Sequence, residues 1–320
     1  MTRFEQIQFF ETKNNLDLPF AFRLKANQVG PEIVIYGGIH GNEPAGVEAI
    51  IKFCQLLELS KINHISGSIT FILGNPAAYI LDRRFVDSNL NRVFDLSPVD
   101  YPEVFAPVPK TKTILQKSNY EKTRAREIQT YLSSLSRLDY SLDLHSVSVG
   151  DLRMAICHQS QIQFLSEFTS FDIQWAYSSK CMTGTTMDEG IRRGAWSYVI
   201  ECGNHSDPEA FKFGLEHILR LLSNLKVIDE IDLLPSPQVI LRYSSIQKIP
   251  SGKDFKWQIK NLQTDEFCPR GAILATITQD DQKVELVVPQ DSYLLLPTTN
   301  PDQHDSDAGF ICSKCFVFAD

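Results

Sequence analysis

No apolar stretch in this chain approaches the length needed to cross a bilayer, so no membrane span is expected. The first residues, Met1-Thr2-Arg3-Phe4-Glu5-Gln6, lack the basic-then-apolar pattern of a secretory leader. There is no basic cluster, and the formal net charge is −8, which argues against a nucleic-acid partner. An acidic protein repels an acidic ligand at long range, so any anion site must be locally basic. Cysteine is sparse: seven in 320 residues, an odd and scattered set. That points to reduced thiols and a cytoplasmic location. Cys312 and Cys315 form a C-x-x-C, but a zinc site would need two more ligands and only His304 is near. They read as ordinary thiols beside a terminal strand. No internal repeat and no low-complexity segment is present.

What the sequence does have is ordinary for a soluble globular protein: 43% hydrophobic and 22% charged residues. Its length allows one large domain or two ordinary ones. Over the first two-thirds the periodicity alternates. Ile33 to Tyr36 and Ser68 to Leu73 read as strands. So do Tyr140 to Leu144, Met154 to Cys157 and Tyr198 to Glu201. Pro44 through Leu59, Tyr120 to Leu135 and Pro208 to Leu225 carry helical spacing. Alternating strands and helices imply an α/β fold with a sheet covered on both faces. After Leu233-Leu234-Pro235-Ser236-Pro237 the pattern changes to short strands from Val239 to Leu296. The expected organisation is a catalytic α/β domain over 1–233 and a smaller β-rich domain over 236–320.

In open α/β sheets, ligands sit beyond the carboxyl ends of strands. Three candidate residues, His40, His145 and Glu201, lie at or just after such ends. Gly37-Gly38-Ile39-His40-Gly41-Asn42-Glu43-Pro44 places an imidazole and a carboxylate three residues apart. Both are good zinc ligands, and three ligands plus an open position make a catalytic site. Alone, His40 and Glu43 read equally as a turn histidine and a carboxylate at a helix start. The glycines would let backbone approach a ligand closely. Downstream, Arg83-Arg84 and Asn89-Leu90-Asn91-Arg92 read either as a solvated loop or as an anion clamp. Arginine grips a carboxylate with two parallel bonds and asparagine adds a neutral donor.

These blocks together resemble the succinylglutamate desuccinylase/aspartoacylase family, amidohydrolases related in fold to zinc carboxypeptidases. The resemblance rests on Gly38-Ile39-His40-Gly41-Asn42-Glu43, Asn75-Pro76, Asp87 to Phe94, Asp143-Leu144-His145 and Glu201-Cys202-Gly203, in that order. Gly271 to Ala275 and Tyr293 to Pro297 are similar to the family's β-rich domain. The resemblance implies a zinc-carboxypeptidase-like mixed sheet covered by helices. It implies one zinc per chain, held by His40, Glu43 and His145. It further implies Glu201 as general acid/base, Arg84 as support for the tetrahedral intermediate, and Asn91 and Arg92 as holders of a substrate carboxylate. Asp143 is expected to orient its neighbour His145, or else to close a turn.

The implied activity is hydrolysis of a small-molecule N-acyl amino acid, with the desuccinylase branch slightly preferred on the C-terminal segment. A succinyl tail needs a further positive group, for which Arg192 or Arg193 is the available candidate. A peptide-cleaving zinc carboxypeptidase and a deacylase of another small N-acylated metabolite are the rivals. A metal-dependent binding protein without activity is a third. Gly184-Thr185-Thr186 reads as pocket lining or turn, and His158 and His205 as structural or surface histidines. The acyl group and the oligomeric state are not fixed by the sequence.

Overall fold

A computed structural model describes residues 1–94, 120–158, 161, 173–177, 183–231, 239–260, 262–279, 281–299 and 308–318. The proline-containing linker at 233–237 and His304 lie outside these residues. Strands β1 (Ala21–Lys25), β2 (Gln28–Gly37), β3 (Ser66–Leu73), β4 (Tyr140–Val147), β5 (Arg153–His158), β6 (Ile173–Tyr177) and β7 (Trp196–Asn204) form one mixed sheet. It continues through β8 (Val239–Ile249), β14 (Gly309–Phe318), β13 (Ser292–Leu295) and β10 (Phe267–Cys268). The order is β1-β3-β2-β4-β7-β5-β6-β8-β14-β13-β10. β9 (Lys253–Trp257), β11 (Ile273–Gln279) and β12 (Gln282–Val287) make a separate antiparallel sheet. The C-terminal segment is therefore strand-rich, as expected, and its longest strands are hydrogen-bonded onto the N-terminal part of the same sheet through β6 and β8.

The centre of the large sheet is parallel: β3 beside β2, β2 beside β4, β4 beside β7. Alternate side chains on these strands serve two helical layers. Ile33, Ile35, Leu142, Leu144, Tyr198 and Ile200 face one layer. That layer holds helices α2 (Ala45–Glu58) and α6 (Ala210–Asn224), which pack on each other. Val34, Tyr36 and Ile72 point the other way, toward α4 (Tyr120–Ser134) with its buried Ala125, Ile128 and Leu132. On β4 and β7 the residues of that second parity are Asp143, His145, Val199 and Glu201. His145 lies opposite Glu201 in register, and Asp143 opposite Val199. Strand pairing thus delivers the two chemical residues of separate segments side by side on one face.

Helix α1 (Arg3–Lys13) was not legible in the sequence. It buries only Gln6 and Phe10, too few for a periodic signal, and is fixed by a capping box between Thr2 and Glu5. Arg3 Nη1 from this helix donates to the carbonyls of Gly41 and Tyr79. The N-terminal helix therefore braces the turn that carries His40.

Candidate metal centre and substrate cavity

Strand β2 ends at Gly37, and Gly38 turns the chain with φ +65°, a conformation costly for any side chain. The turn places His40 and Glu43 ahead of α2. Two of the glycines permit close packing of the turn itself. A Cβ on Gly41 would lie 2.1 Å from the Ala78 carbonyl carbon, and one on Gly37 would lie 2.8 Å from Gly46. The close approach is between protein segments. Gly41→Ala should therefore push the turn off helix α3 (Pro76–Ile80), at a cost of about 1–3 kcal/mol, the scale of overpacking. Thermal melting and zinc content both read this. An unshifted melt with full metal would remove the packing argument.

His40, Glu43 and His145 come together with their candidate ligand atoms all within 4.8 Å of one another. All three are buried, at 4%, 3% and 3% exposure. His40 Nδ1 is 2.7 Å from Glu43 Oε1, and His145 Nδ1 is 2.8 Å from Glu43 Oε2. The two Nδ1 atoms are 3.2 Å apart. Each ring's other nitrogen is occupied from outside. His40 Nε2 meets the Asn89 amide oxygen at 3.1 Å, and His145 Nε2 meets Asp143 Oδ2 at 2.9 Å. An amide oxygen and a carboxylate only accept, so both Nε2 atoms carry their hydrogens. In the neutral rings this leaves two Nδ1 lone pairs and a carboxylate facing each other. Such a donor set fits a divalent cation with nitrogen and oxygen preference, zinc among the first choices.

The charges around the triad agree. Burial and the neighbouring Arg84 guanidinium pull the His40 pKa down to about 4. Burial would lower His145 too, but the Asp143 and Glu43 carboxylates outweigh it and hold His145 well above its ordinary value. Burial opposes ionisation of Glu43, yet both imidazoles keep it well below the usual carboxylate range. A cation bound by the triad would compete with a proton on His145.

Glu201 stands across the strand pair from His145, with Oε2 buried and without a hydrogen-bond partner. Burial pushes its pKa up to about 8, with His145 and Arg84 pulling the other way and Glu43 adding to the rise. An unpaired buried carboxylate is costly. Here it borders an open cavity, which His40, Glu43, His145 and Glu201 line together with Arg84, Asn91 and Arg92. Arg84 Nη1 donates to Glu43 Oε1 at 3.1 Å. Arg92 Nη1 donates to the Asn91 carbonyl, and Asn91 Oδ1 accepts from the Thr186 amide at 2.9 Å.

The loop bearing Asn89, Asn91 and Arg92 is tied down by Glu121 of α4, a fully buried carboxylate. It accepts from the backbone amides of Val86, Asp87 and Ser88 and from Asn75 Nδ2. Nothing in the local sequence marks Glu121, because its partners lie more than 30 residues away. Asn89 was likewise part of a motif without a role, and now holds His40. Thr185 caps helix α5 (Thr186–Arg192) and also lines the cavity, so the Gly184-Thr185-Thr186 segment serves as turn and wall together.

His205 is not part of the triad, in keeping with its reading as something other than an extra ligand. It lines the cavity and meets Ser146 Oγ at 2.8 Å through Nδ1. His158 ends β5 outside the cavity lining. Arg192 and Arg193 also lie outside it. Both pair with the buried Glu189, at 3.0 and 2.6 Å, and reach the Phe94 carbonyl and the Gln129 carbonyl respectively. Their positions serve the packing of α5 on α4, away from the cavity lining where a succinyl contact was expected. Cys312 sits in β14 with its thiol on the Tyr293 carbonyl, an ordinary buried thiol.

A model of the succinylglutamate desuccinylase/aspartoacylase catalytic domain matches residues 29–222. The succinylglutamate desuccinylase of Pseudoalteromonas atlantica is 29% identical over 296 residues, covering 84% of this chain and 77% of that protein. The human N-acyl-aromatic-L-amino acid amidohydrolase is 34% identical over 121 residues, 37% of this chain. The chain covers 34% of that human protein's length and 36% of a Trichodesmium erythraeum relative's. Among solved structures, the succinylglutamate desuccinylase of Vibrio cholerae superimposes with a TM-score of 0.67 at 17% identity, covering 99% of this chain and 98% of that one. This likeness establishes the shared fold.

Proposed function

Because the chain belongs to the succinylglutamate desuccinylase/aspartoacylase family, we propose that it is a zinc-dependent amidohydrolase of N-acyl amino acids. The observation that carries the reading is the meeting of a three-ligand cluster with a buried, partnerless carboxylate at the edge of one cavity. One zinc per chain, held by His40, Glu43 and His145, would supply Lewis acidity toward the amide carbonyl and toward water. Glu201 takes the proton of the attacking water and returns it to the leaving amine nitrogen, so an amide and water become a carboxylate and an amine. Its raised pKa suits a group that must both accept and give a proton near neutrality. Arg84 donates toward the carbonyl oxygen as negative charge develops there. Asp143 and Asn89 keep the imidazoles oriented.

Asn91 and Arg92 hold the carboxylate of the amino-acid portion. Arg92→Lys replaces a planar fork with a point charge, and should lower kcat/KM by about tenfold or more while zinc stays bound. Unchanged kinetics would move the carboxylate site elsewhere. The β-rich domain proposed for 236–320 adds Leu296, Pro297, Thr298 and Phe310 to the cavity wall. A wall on that side narrows the cleft and favours small N-acyl amino acids over peptides. Small N-acyl amino acids are thus the proposed partners. Among the described residues no helix is long and apolar enough to cross a membrane. The test is a screen of the zinc-loaded protein against N-acetyl- and N-succinyl-amino acids beside C-terminal peptides. Turnover of peptides alone would replace this reading with a carboxypeptidase.

A further inference from the structure

Behind the triad each imidazole leans on an acceptor, and both acceptors trace back to one residue. His145 Nε2 meets Asp143 Oδ2 at 2.9 Å, and the same oxygen accepts from the Thr186 hydroxyl at 2.5 Å. His40 Nε2 meets Asn89 Oδ1 at 3.1 Å, and that oxygen also accepts from the Asn91 backbone N–H at 2.9 Å. Asn91 Oδ1 in turn accepts from the Thr186 backbone N–H at 2.9 Å. Thr186 therefore stands where two chains of hydrogen bonds meet, and each chain ends on the far nitrogen of one imidazole. It opens helix α5 and is buried, at 1% exposure. Its neighbour Thr185 lines the cavity and Thr186 does not, so Thr186 acts on the site through other residues.

Its two donors do different work. A backbone N–H can only donate, so it fixes the Asn91 amide with the oxygen toward α5. That leaves Asn91 Nδ2 as the group able to donate to a substrate. The hydroxyl has a single hydrogen to give. Its oxygen lies 2.5 Å from Asp143 Oδ2 and 3.4 Å from Asn91 Oδ1, so the hydrogen goes to the carboxylate. Asp143 depends on that bond. The residue is buried, and its other oxygen, Oδ1, has no hydrogen-bond partner. The last torsion of an aspartate is soft, so the setting of this carboxylate rests on the bonds at Oδ2. Without the Thr186 hydroxyl, it would be held by the very imidazole it has to orient.

We infer that Thr186 is a positioning residue for the metal centre: its hydroxyl sets Asp143 against His145, while its backbone N–H sets the Asn91 amide that reaches His40 through Asn89. The inference rests on the metal-dependent reading above and adds a residue to it.

The test titrates the metal-free full chain with zinc against a chromophoric chelator, with melting curves to establish folding. Thr186→Val removes the hydroxyl and keeps the branched shape and the backbone N–H. Its zinc dissociation constant should rise by about threefold to tenfold, less than for loss of a direct ligand partner. Thr186→Ser should stay within about twofold of wild type, because serine supplies the same donor. If the valine variant does not fold, Thr186→Cys makes the same comparison with a thiol that donates only weakly, and should bind zinc less tightly than Thr186→Ser.

A double-mutant cycle then separates this route from a general packing effect. In an Asp143→Asn background Thr186→Val should weaken zinc little further, because residues that act as a unit are not additive. At saturating zinc, KM for the N-acetyl- or N-succinyl-amino acids turned over by wild type should hold in Thr186→Val, since the N–H to Asn91 remains. A raised KM with intact zinc affinity would assign the hydroxyl to Asn91 and overturn the inference. So would wild-type zinc affinity in the folded valine variant, losses that simply add in the double variant, or failure of serine to restore binding. Each of these leaves the metal reading standing. A wild-type chain that binds no zinc overturns both.

Discussion

His40→Ala and His145→Ala should each yield folded protein that holds little zinc and has no measurable amide hydrolase activity. Each ring would supply one of the three candidate ligand atoms found among the described residues, converging through Nδ1. With two donors left, the cation loses the chelation that made the buried site favourable. Each substitution also strands a partner: Asn89 Oδ1 in the first case and Asp143 Oδ2 in the second. A graded comparison makes the test sharper. Asp143→Asn keeps the ligand but removes the charged acceptor behind it, and should weaken zinc by about 10–100-fold. The alanine variants should lose more. Metal analysis per chain and zinc-induced shift in melting temperature read this without reference to activity. Full zinc and normal turnover in either alanine variant would show that the metal, if any, is held elsewhere.

Glu201→Gln has the opposite signature: zinc stays and chemistry goes. The amide cannot take a proton from water, and kcat should fall by about two to four orders of magnitude. Zinc affinity should stay near wild type, since Glu201 is outside the triad. Loss of zinc would place Glu201 among the ligands. The same variant has a second readout in the metal-free protein. Burial pushes the Glu201 pKa up to about 8 from its ordinary value near 4.5, so between these values the folded state binds more protons than the unfolded state. Stability from this group therefore falls as pH rises through that window, and the fall is complete above about pH 8. Glutamine has no such titration. The variant should gain on wild type as pH rises from 5 to 9. A constant difference across that range would mean that Glu201 is not held in a low-dielectric site.

Much of this site was legible in the chain because its residues sit at strand ends and in short motifs. His40 and Glu43 share one turn, and Asp143 and His145 share one strand face by the two-residue period. The alternation of strands and helices also carried over, since each helix and strand buries its own periodic face. Helix α1 escaped because two buried residues do not make a pattern. Strand β6 escaped as well; it is a short piece, Ile173–Tyr177, whose role is to join β5 to β8.

Amino-acid order alone brought forward the candidate ligands and the candidate base, through short motifs that resemble a family, and the α/β character, through the periodicity of each segment. Tertiary structure alone decided which of the arginines face the cavity. Arg92 does and Arg192 and Arg193 do not, because Glu189 offers those two a buried partner that sequence distance conceals. It decided that Asn89 and Glu121 support the site, through contacts 49 and 35 residues away from their partners His40 and Val86. It also placed Phe310 and Leu296, from the far end of the chain, against Val199 and Ile156. The physical reason is the same in each case. A side chain's charge and shape are written locally, but what compensates a buried charge or covers an apolar wall is set by which strands pair, and that is a property of the whole sheet.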